Sequence, residues 1–133
     1  MSVGLLLITH DKLGRNLLDT ATMILGDTPV EAITIDVPGD SNPDTVYAEA
    51  SDACTVLDQG DGVLVLTDLY GSTPSNIATR LLAEHNALVI SGLNVPMLVR
   101  ALNYAACSLE ELGSKAESGA RDGIIMTTEK QAS

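Results

Sequence analysis

Val3 to Ile8 is apolar throughout except for Gly4, and the run stops at Thr9-His10-Asp11 with a helical pattern directly behind it. A short continuous apolar run of this kind reads as a strand buried on both faces, the signature of a central strand in a parallel sheet. The polar residue that ends it then stands at the strand's carboxyl end, just before a helix, where open parallel sheets place their ligands. The same grammar returns at Leu64-Val-Leu-Thr-Asp68-Leu-Tyr-Gly71-Ser72-Thr73-Pro74. Two such strand ends in one chain limit the fold to few alternatives and direct attention to His10 and Asp68.

Between these landmarks strands and helices alternate. Strand one is expected at Val3 to Ile8. Helix one follows from about Lys12 to Leu25, with Leu13, Leu17, Ala21, Ile24 and Leu25 as its apolar stripe and Gly26 as its C-terminal cap. Val30 to Ile35 is expected as strand two, and Val37 to Pro43 is a loop by composition. Asn42-Pro43 starts helix two, about Pro43 to Gln59. Val63 to Thr67 is strand three. Thr73-Pro74 starts helix three, with Thr73 as cap; Ala87 to Ile90 is strand four, and a further helix begins near Pro96. Ser108 caps a fifth helical segment whose first turn carries Glu110 and Glu111, where the helix dipole favours acids. Gly123 to Thr128 is expected as a short last strand, antiparallel at an edge or paired with another subunit. The tail 129–133 is expected to be frayed and disordered. The alternation predicts a doubly wound, mostly parallel α/β sheet in the order 2-1-3-4 with a short C-terminal edge strand, helices on both faces, and residues 1–133 as a single domain.

Composition narrows the function. The formal net charge is −11, which repels nucleic acid and anionic membranes but leaves room for an anion held by backbone N–H groups at a helix start. No apolar run approaches the ~20 residues that span a bilayer, and the N-terminus has no basic segment or cleavage site. A cytoplasmic protein with no membrane insertion is expected. Cys54 and Cys107 are not in a CxxC pair, so they read as small buried hydrophobes in a reducing compartment, and no metal site is predicted.

Of the two histidines, His85 near the end of helix three reads as a solvated surface residue, whereas His10 sits at a strand end. Strands one and three are neighbours in the expected order, so Asp68 comes within reach of His10. A carboxylate accepting from one imidazole nitrogen fixes the tautomer and leaves the other lone pair free. Gly71-Ser72-Thr73-Pro74 supplies the anion side: the N–H groups and hydroxyls of Ser72 and Thr73 are placed to surround phosphate oxygens, with Gly71 turning the backbone. Thr9 and Asn94 are candidate walls of the same crevice.

Three blocks, Ile8-Thr9-His10, Thr67-Asp68-Leu-Tyr-Gly71-Ser72-Thr73-Pro74-Ser75-Asn76 and Ser91-Gly92-Leu93-Asn94-Val95-Pro96-Met97-Leu98, resemble the mannose-family enzyme IIA domain of the bacterial sugar phosphotransferase system (PTS). The likeness extends to Val37-Pro38-Gly39 and to the segment from Glu117 to Gly123. It implies a doubly wound sheet, a homodimer, and a histidine phosphorylated by the phosphocarrier protein HPr: His10 as acceptor and Asp68 as its orienting carboxylate. Thr73 stands where the family often has a serine, Ser72 where it often has a second glycine and Tyr70 where it often has Trp, which leaves open whether Ser72 or Thr73 is the main hydroxyl donor. The family's IIB domain is absent from this sequence, so a separate IIB component is the expected acceptor. No cofactor is implied. Two other outputs fit the same residues: a regulatory phospho-switch, or the phosphotransfer subunit of a dihydroxyacetone kinase. A hydrolase built on Ser72, His10 and Asp68 is a rival, weakened by the lack of a GxSxG elbow.

Overall fold

The computed structural model describes residues 2–27 and 30–129. Its four strands, β1 (Gly4–His10), β2 (Ala32–Val37), β3 (Val63–Thr67) and β4 (Ala87–Ser91), form one parallel sheet in the order β2-β1-β3-β4. The helices are α1 (Leu13–Leu25), α2 (Pro43–Leu57), α3 (Thr73–Arg80), which tightens into a 3₁₀ turn at Leu81–Ala83, α4 (Val95–Asn103) and α5 (Leu109–Asp122). The doubly wound α/β expectation holds.

Alternation along the strands divides the core in two. Leu5, Leu7, Leu64 and Leu66 pack with Ala21, Leu98, Ala101, Leu112 and Ala116 of α1, α4 and α5. Leu6, Ile8, Val63 and Val65 face Val46, Ala50, Cys54, Ile77 and Ala78 of α2 and α3. The core is aliphatic, and each fully buried leucine or isoleucine contributes about 1.5–3 kcal/mol relative to exposure. Gly4 permits the closest approach: a Cβ there would lie 2.7 Å from that of Leu57, so α2 ends pressed against β1.

The structure departs from expectation in ways that matter for the site. β1 runs on to His10, two residues beyond Ile8, because β2 also lies two residues later and pairs Thr9 with Asp36 and His10 with Val37. Helix α3 is capped by Ser72 rather than Thr73, and Pro74 falls one position further in. On α1, Leu13 and Ile24 are exposed; contact is made through Gly14, Leu17, Leu18, Ala21 and Leu25, a stripe rotated toward the small residues that let the helix approach the sheet. The short C-terminal edge strand does not form: after α5 the segment 124–128 has no strand pairing, and Ile124, Ile125 and Met126 are 77%, 77% and 85% exposed. A lone edge segment gains nothing without a strand to receive it. Of the tail expected to be disordered, residues 130–133 lie outside the described residues.

Candidate functional site

Thr9 and His10 are consecutive on β1, so their side chains leave the sheet on opposite faces. Thr9 is buried and accepts the Gly14 N–H at 2.7 Å, tying the strand to the first turn of α1. A Cβ on Gly14 would lie 2.9 Å from Thr9 Cγ2. Thr9 is therefore not a wall of the crevice but the joint behind it. His10 emerges on the α2/α3 side. Directly after it, Asp11 adopts φ 45°, the one positive φ outside glycine among the described residues, and its N–H reaches Val37 O at 3.0 Å. The chain thus turns from strand to helix within two residues, Asp11 and Lys12, and leaves the imidazole at the rim.

Asp68 follows β3 and meets His10 twice. Its Oδ2 lies 2.7 Å from His10 Nδ1 and accepts the His10 backbone N–H at 3.1 Å, while Oδ1 accepts the Leu69 N–H at 3.1 Å. The Asp68 side chain is 10% exposed and the His10 ring 53%. A carboxylate offers only lone pairs, so this contact assigns the ring proton to Nδ1 and leaves Nε2 bare.

A cavity of about 270 Å³ opens beside the ring, bounded by Val37, Pro38, Gly39, Ser41 and Pro43 on one side and by Thr73 and Pro74 on the other. Larger hollows lie elsewhere, one of about 590 Å³ along β4 and α5, but His10 lines the smaller one. Thr73 brings a hydroxyl and the N–H of a first helical residue, which no helix satisfies from within. Ser72 is committed elsewhere: its hydroxyl donates to Leu69 O at 2.6 Å and its N–H to the same oxygen at 3.3 Å. This arrangement does not aim Ser72 at His10, as a Ser-His-Asp triad requires. Gly71, at φ 84°, makes the turn.

Asn94 caps α4 instead of walling the His10 cavity: its Oδ1 accepts the Met97 N–H at 2.9 Å and its Nδ2 donates to Ala120 O at 3.2 Å. His85 is half-buried rather than solvated, with Nε2 2.8 Å from Ser51 Oγ. Sequence reasoning read Val37 to Pro43 as a loop and Val37-Pro38-Gly39 as part of the family likeness but gave them no place in the site, yet Pro38, Gly39 and Ser41 form a wall of the cavity; the strand-end rule applied to β2 would have found them. It also passed over the buried hydroxyls of Thr67 and Ser75. Among the described residues no group of three or more His, Cys, Asp or Glu is placed to hold a metal, and no helix is long and apolar enough to cross a membrane.

The family description EIIA-man, "PTS system fructose IIA component", matches residues 4–117. The "PTS system mannose-specific EIIAB component" of Escherichia coli K12 is 33% identical over 127 residues, covering 93% of this chain and 39% of that protein, so the chain spans about two fifths of the length of the curated relatives it matches. Among solved structures, the mannose/sorbose specific IIA subunit of the phosphotransferase system from Enterococcus faecalis superposes with a TM-score of 0.85 at 22% identity, covering 96% of each chain. The PTS IIA protein associated with the fucose utilization operon of Streptococcus pneumoniae gives 0.77 at 26% identity, covering all of both chains.

Proposed function

The chain belongs to the EIIA-man family of the sugar phosphotransferase system, and we propose that it is a phosphocarrier that receives a phosphoryl group on Nε2 of His10 from phospho-HPr and passes it to a IIB component. The observation that carries this reading is the 2.7 Å contact between Asp68 and His10 Nδ1, which turns the other nitrogen's lone pair outward beside a cavity with an anion-seeking helix start.

The step balances without a proton leaving the site. The Nε2 lone pair attacks the phosphorus of the donor phosphohistidine in line, a new N–P bond forms, and the old one breaks with its electron pair returning to the donor ring. The proton stays on Nδ1 and Asp68 stabilises the positive charge that develops on the imidazole. A loose transition state spreads charge on three equatorial oxygens, so positioning and N–H donors do most of the work. Thr73 is the donor that the cavity favours; Gly71 and Ser72 shape the turn that presents it. The acceptor step reverses the same geometry. HPr and IIB are the expected partners in the cytoplasm, and no cofactor enters the chemistry.

A homodimer fits the same reading. Strand β4 is the half-buried edge of the sheet, and the 124–126 segment leaves three large apolar side chains in water. A second copy of the chain offers both a segment and an edge, so that each covers the other's. Sedimentation equilibrium is expected to give twice the chain mass, and Ile125→Asp to give the monomer.

The decisive experiment is incubation with phosphoenolpyruvate, enzyme I and HPr, followed by intact mass. One phosphate is expected, labile to acid and absent in His10→Ala. A protein that stays unmodified in the presence of charged HPr overturns the reading.

A further inference from the structure

Three polar side chains are fully buried among the described residues, and all carry hydroxyls at the same end of the sheet: Thr9, Thr67 and Ser75. Thr9 is accounted for by the turn into α1. The other two belong to a chain of contacts on the His10 side of the sheet. Thr67 Oγ1 donates to Ser91 Oγ at 3.2 Å, Ser91 Oγ lies 3.4 Å from Ser75 Oγ, and Ser75 Oγ accepts the Gly71 N–H at 3.4 Å. Thr67 and Ser91 are register partners at the ends of β3 and β4, and Ser75 is the third residue of α3.

Burying a hydroxyl in an aliphatic core costs free energy unless a partner repays it, and an alanine at position 75 would pack without that requirement. What the hydroxyl does is reach backwards, from the first turn of the helix to the N–H of the glycine ahead of its cap. This is the logic of a capping box, displaced by one residue. The loop it holds, Asp68 to Ser72, contains the carboxylate that orients His10, and it leads straight into Thr73. The other end of the chain is anchored firmly: Thr67 O accepts the N–H groups of both Gly92 and Leu93 at 3.0 Å. The turn beside the histidine is thereby referenced to the two-strand frame of β3 and β4, not to helix α3 alone.

We propose that Ser75 is a positioning residue for phosphoryl transfer at His10: through Gly71 and Ser91 its hydroxyl fixes the 68–73 turn relative to the sheet, and so sets where Asp68 and Thr73 stand against the imidazole. The inference rests on the phosphocarrier reading for its kinetic consequence, while its structural part stands apart from it.

The test compares wild type, Ser75→Ala, Ser91→Ala and the double variant. With phospho-HPr as donor, Ser75→Ala is expected to lower kcat about tenfold with little change in the KM for HPr, and Ser91→Ala about threefold, at temperatures well below either variant's Tm. Because both act through one chain, the double variant is expected to be no slower than Ser75→Ala. In ¹⁵N spectra taken with no donor present, Ser75→Ala is expected to move the Gly71 amide and the His10 ring nitrogens; Ala at a residue that only fills space leaves both in place. Wild-type rates and unmoved His10 signals in Ser75→Ala overturn the proposal, as do losses that multiply in the double variant. A wild-type protein that accepts no phosphate overturns the relay reading and the kinetic part of this proposal together. The donor-free spectra then decide whether Ser75 holds the turn.

Discussion

His10 and His85 each have one ring nitrogen hydrogen-bonded to a neighbour at nearly the same distance, 2.7 and 2.8 Å, yet the two arrangements point to opposite roles. At His10 the neighbour is an acid, the contact is to Nδ1, and the residue lines a cavity. At His85 the neighbour is the Ser51 hydroxyl and the contact occupies Nε2, the more accessible nitrogen of an imidazole; the backbone N–H is held by Leu81 O at 3.0 Å and the ring is half-buried between α2 and the 3₁₀ turn. The nearest acid in sequence, Glu84, accepts from the Tyr47 hydroxyl at 2.9 Å. What separates a candidate nucleophile from a structural histidine here is which nitrogen is tied, and to what.

The largest expected effect tests that difference directly. His10→Ala is expected to abolish the acid-labile phosphate, and His85→Ala to leave its stoichiometry unchanged in intact mass measurements. Phosphate retained in His10→Ala and lost in His85→Ala would reverse the assignment.

The second effect comes from the partners. Asp68→Ala is expected to slow phosphorylation on the order of 10²–10⁴-fold, the range for base-orienting carboxylates. Asp68→Asn keeps an acceptor for Nδ1–H but loses the charge, and is expected to fall between wild type and Ala in a rapid-quench assay. Ser51→Ala, the matching change at the other histidine, is expected to leave the rate unaltered and to cost about 1 kcal/mol of stability in urea titration.

The comparison also shows how far the sequence was legible. His10 and Asp68 were readable because each ends an apolar run, and a parallel sheet brings such ends together with no further information than strand order. Thr73 was readable as part of a helix start, though its neighbour Ser72 proved to be the cap, since capping is decided by the backbone of the preceding turn and several hydroxyl residues in a row satisfy the same rule. His85 was misread as solvated because its partner Ser51 lies on α2, in a contact between that helix and the bend after the 3₁₀ turn that no local pattern encodes. Thr67 and Ser75 went unnoticed for the same reason. Gly123 to Thr128 has the composition of a strand, but pairing is a property of a neighbour, and within one chain no neighbour receives it.

A third, smaller effect sharpens what surrounds the His10 nitrogen. Thr73→Val preserves shape and the backbone N–H while removing the hydroxyl, and is expected to slow transfer about tenfold, less than the ~10²–10³-fold loss typical of removing a donor to developing charge, because the backbone N–H remains. Ser72→Ala is expected to affect transfer less, since its hydroxyl serves Leu69 O. Equal losses would mean that the turn opens when phosphate arrives and that Ser72 then joins it.

The smallest effect belongs to the His85 side, where the ionisable groups serve the fold. Cys54, one turn along α2 from Ser51, is fully buried, and that burial, with Asp58 adding to it, pushes its thiol up from 9.0 to about 11. In the unfolded chain the thiol ionises near its ordinary value, so between pH 9 and 11 the unfolded state releases a proton that the folded state retains. Stability is then lost as pH rises through this window, by about 1 kcal/mol at pH 10 and by almost nothing at pH 8. Cys54→Ala lacks the titrating group. Urea midpoints are therefore expected to fall further between pH 8 and pH 10 for wild type than for Cys54→Ala, whatever the variant's own offset at pH 8. Parallel falls would mean that the thiol ionises without leaving the core, and would remove this side of the molecule's claim to be held by burial alone.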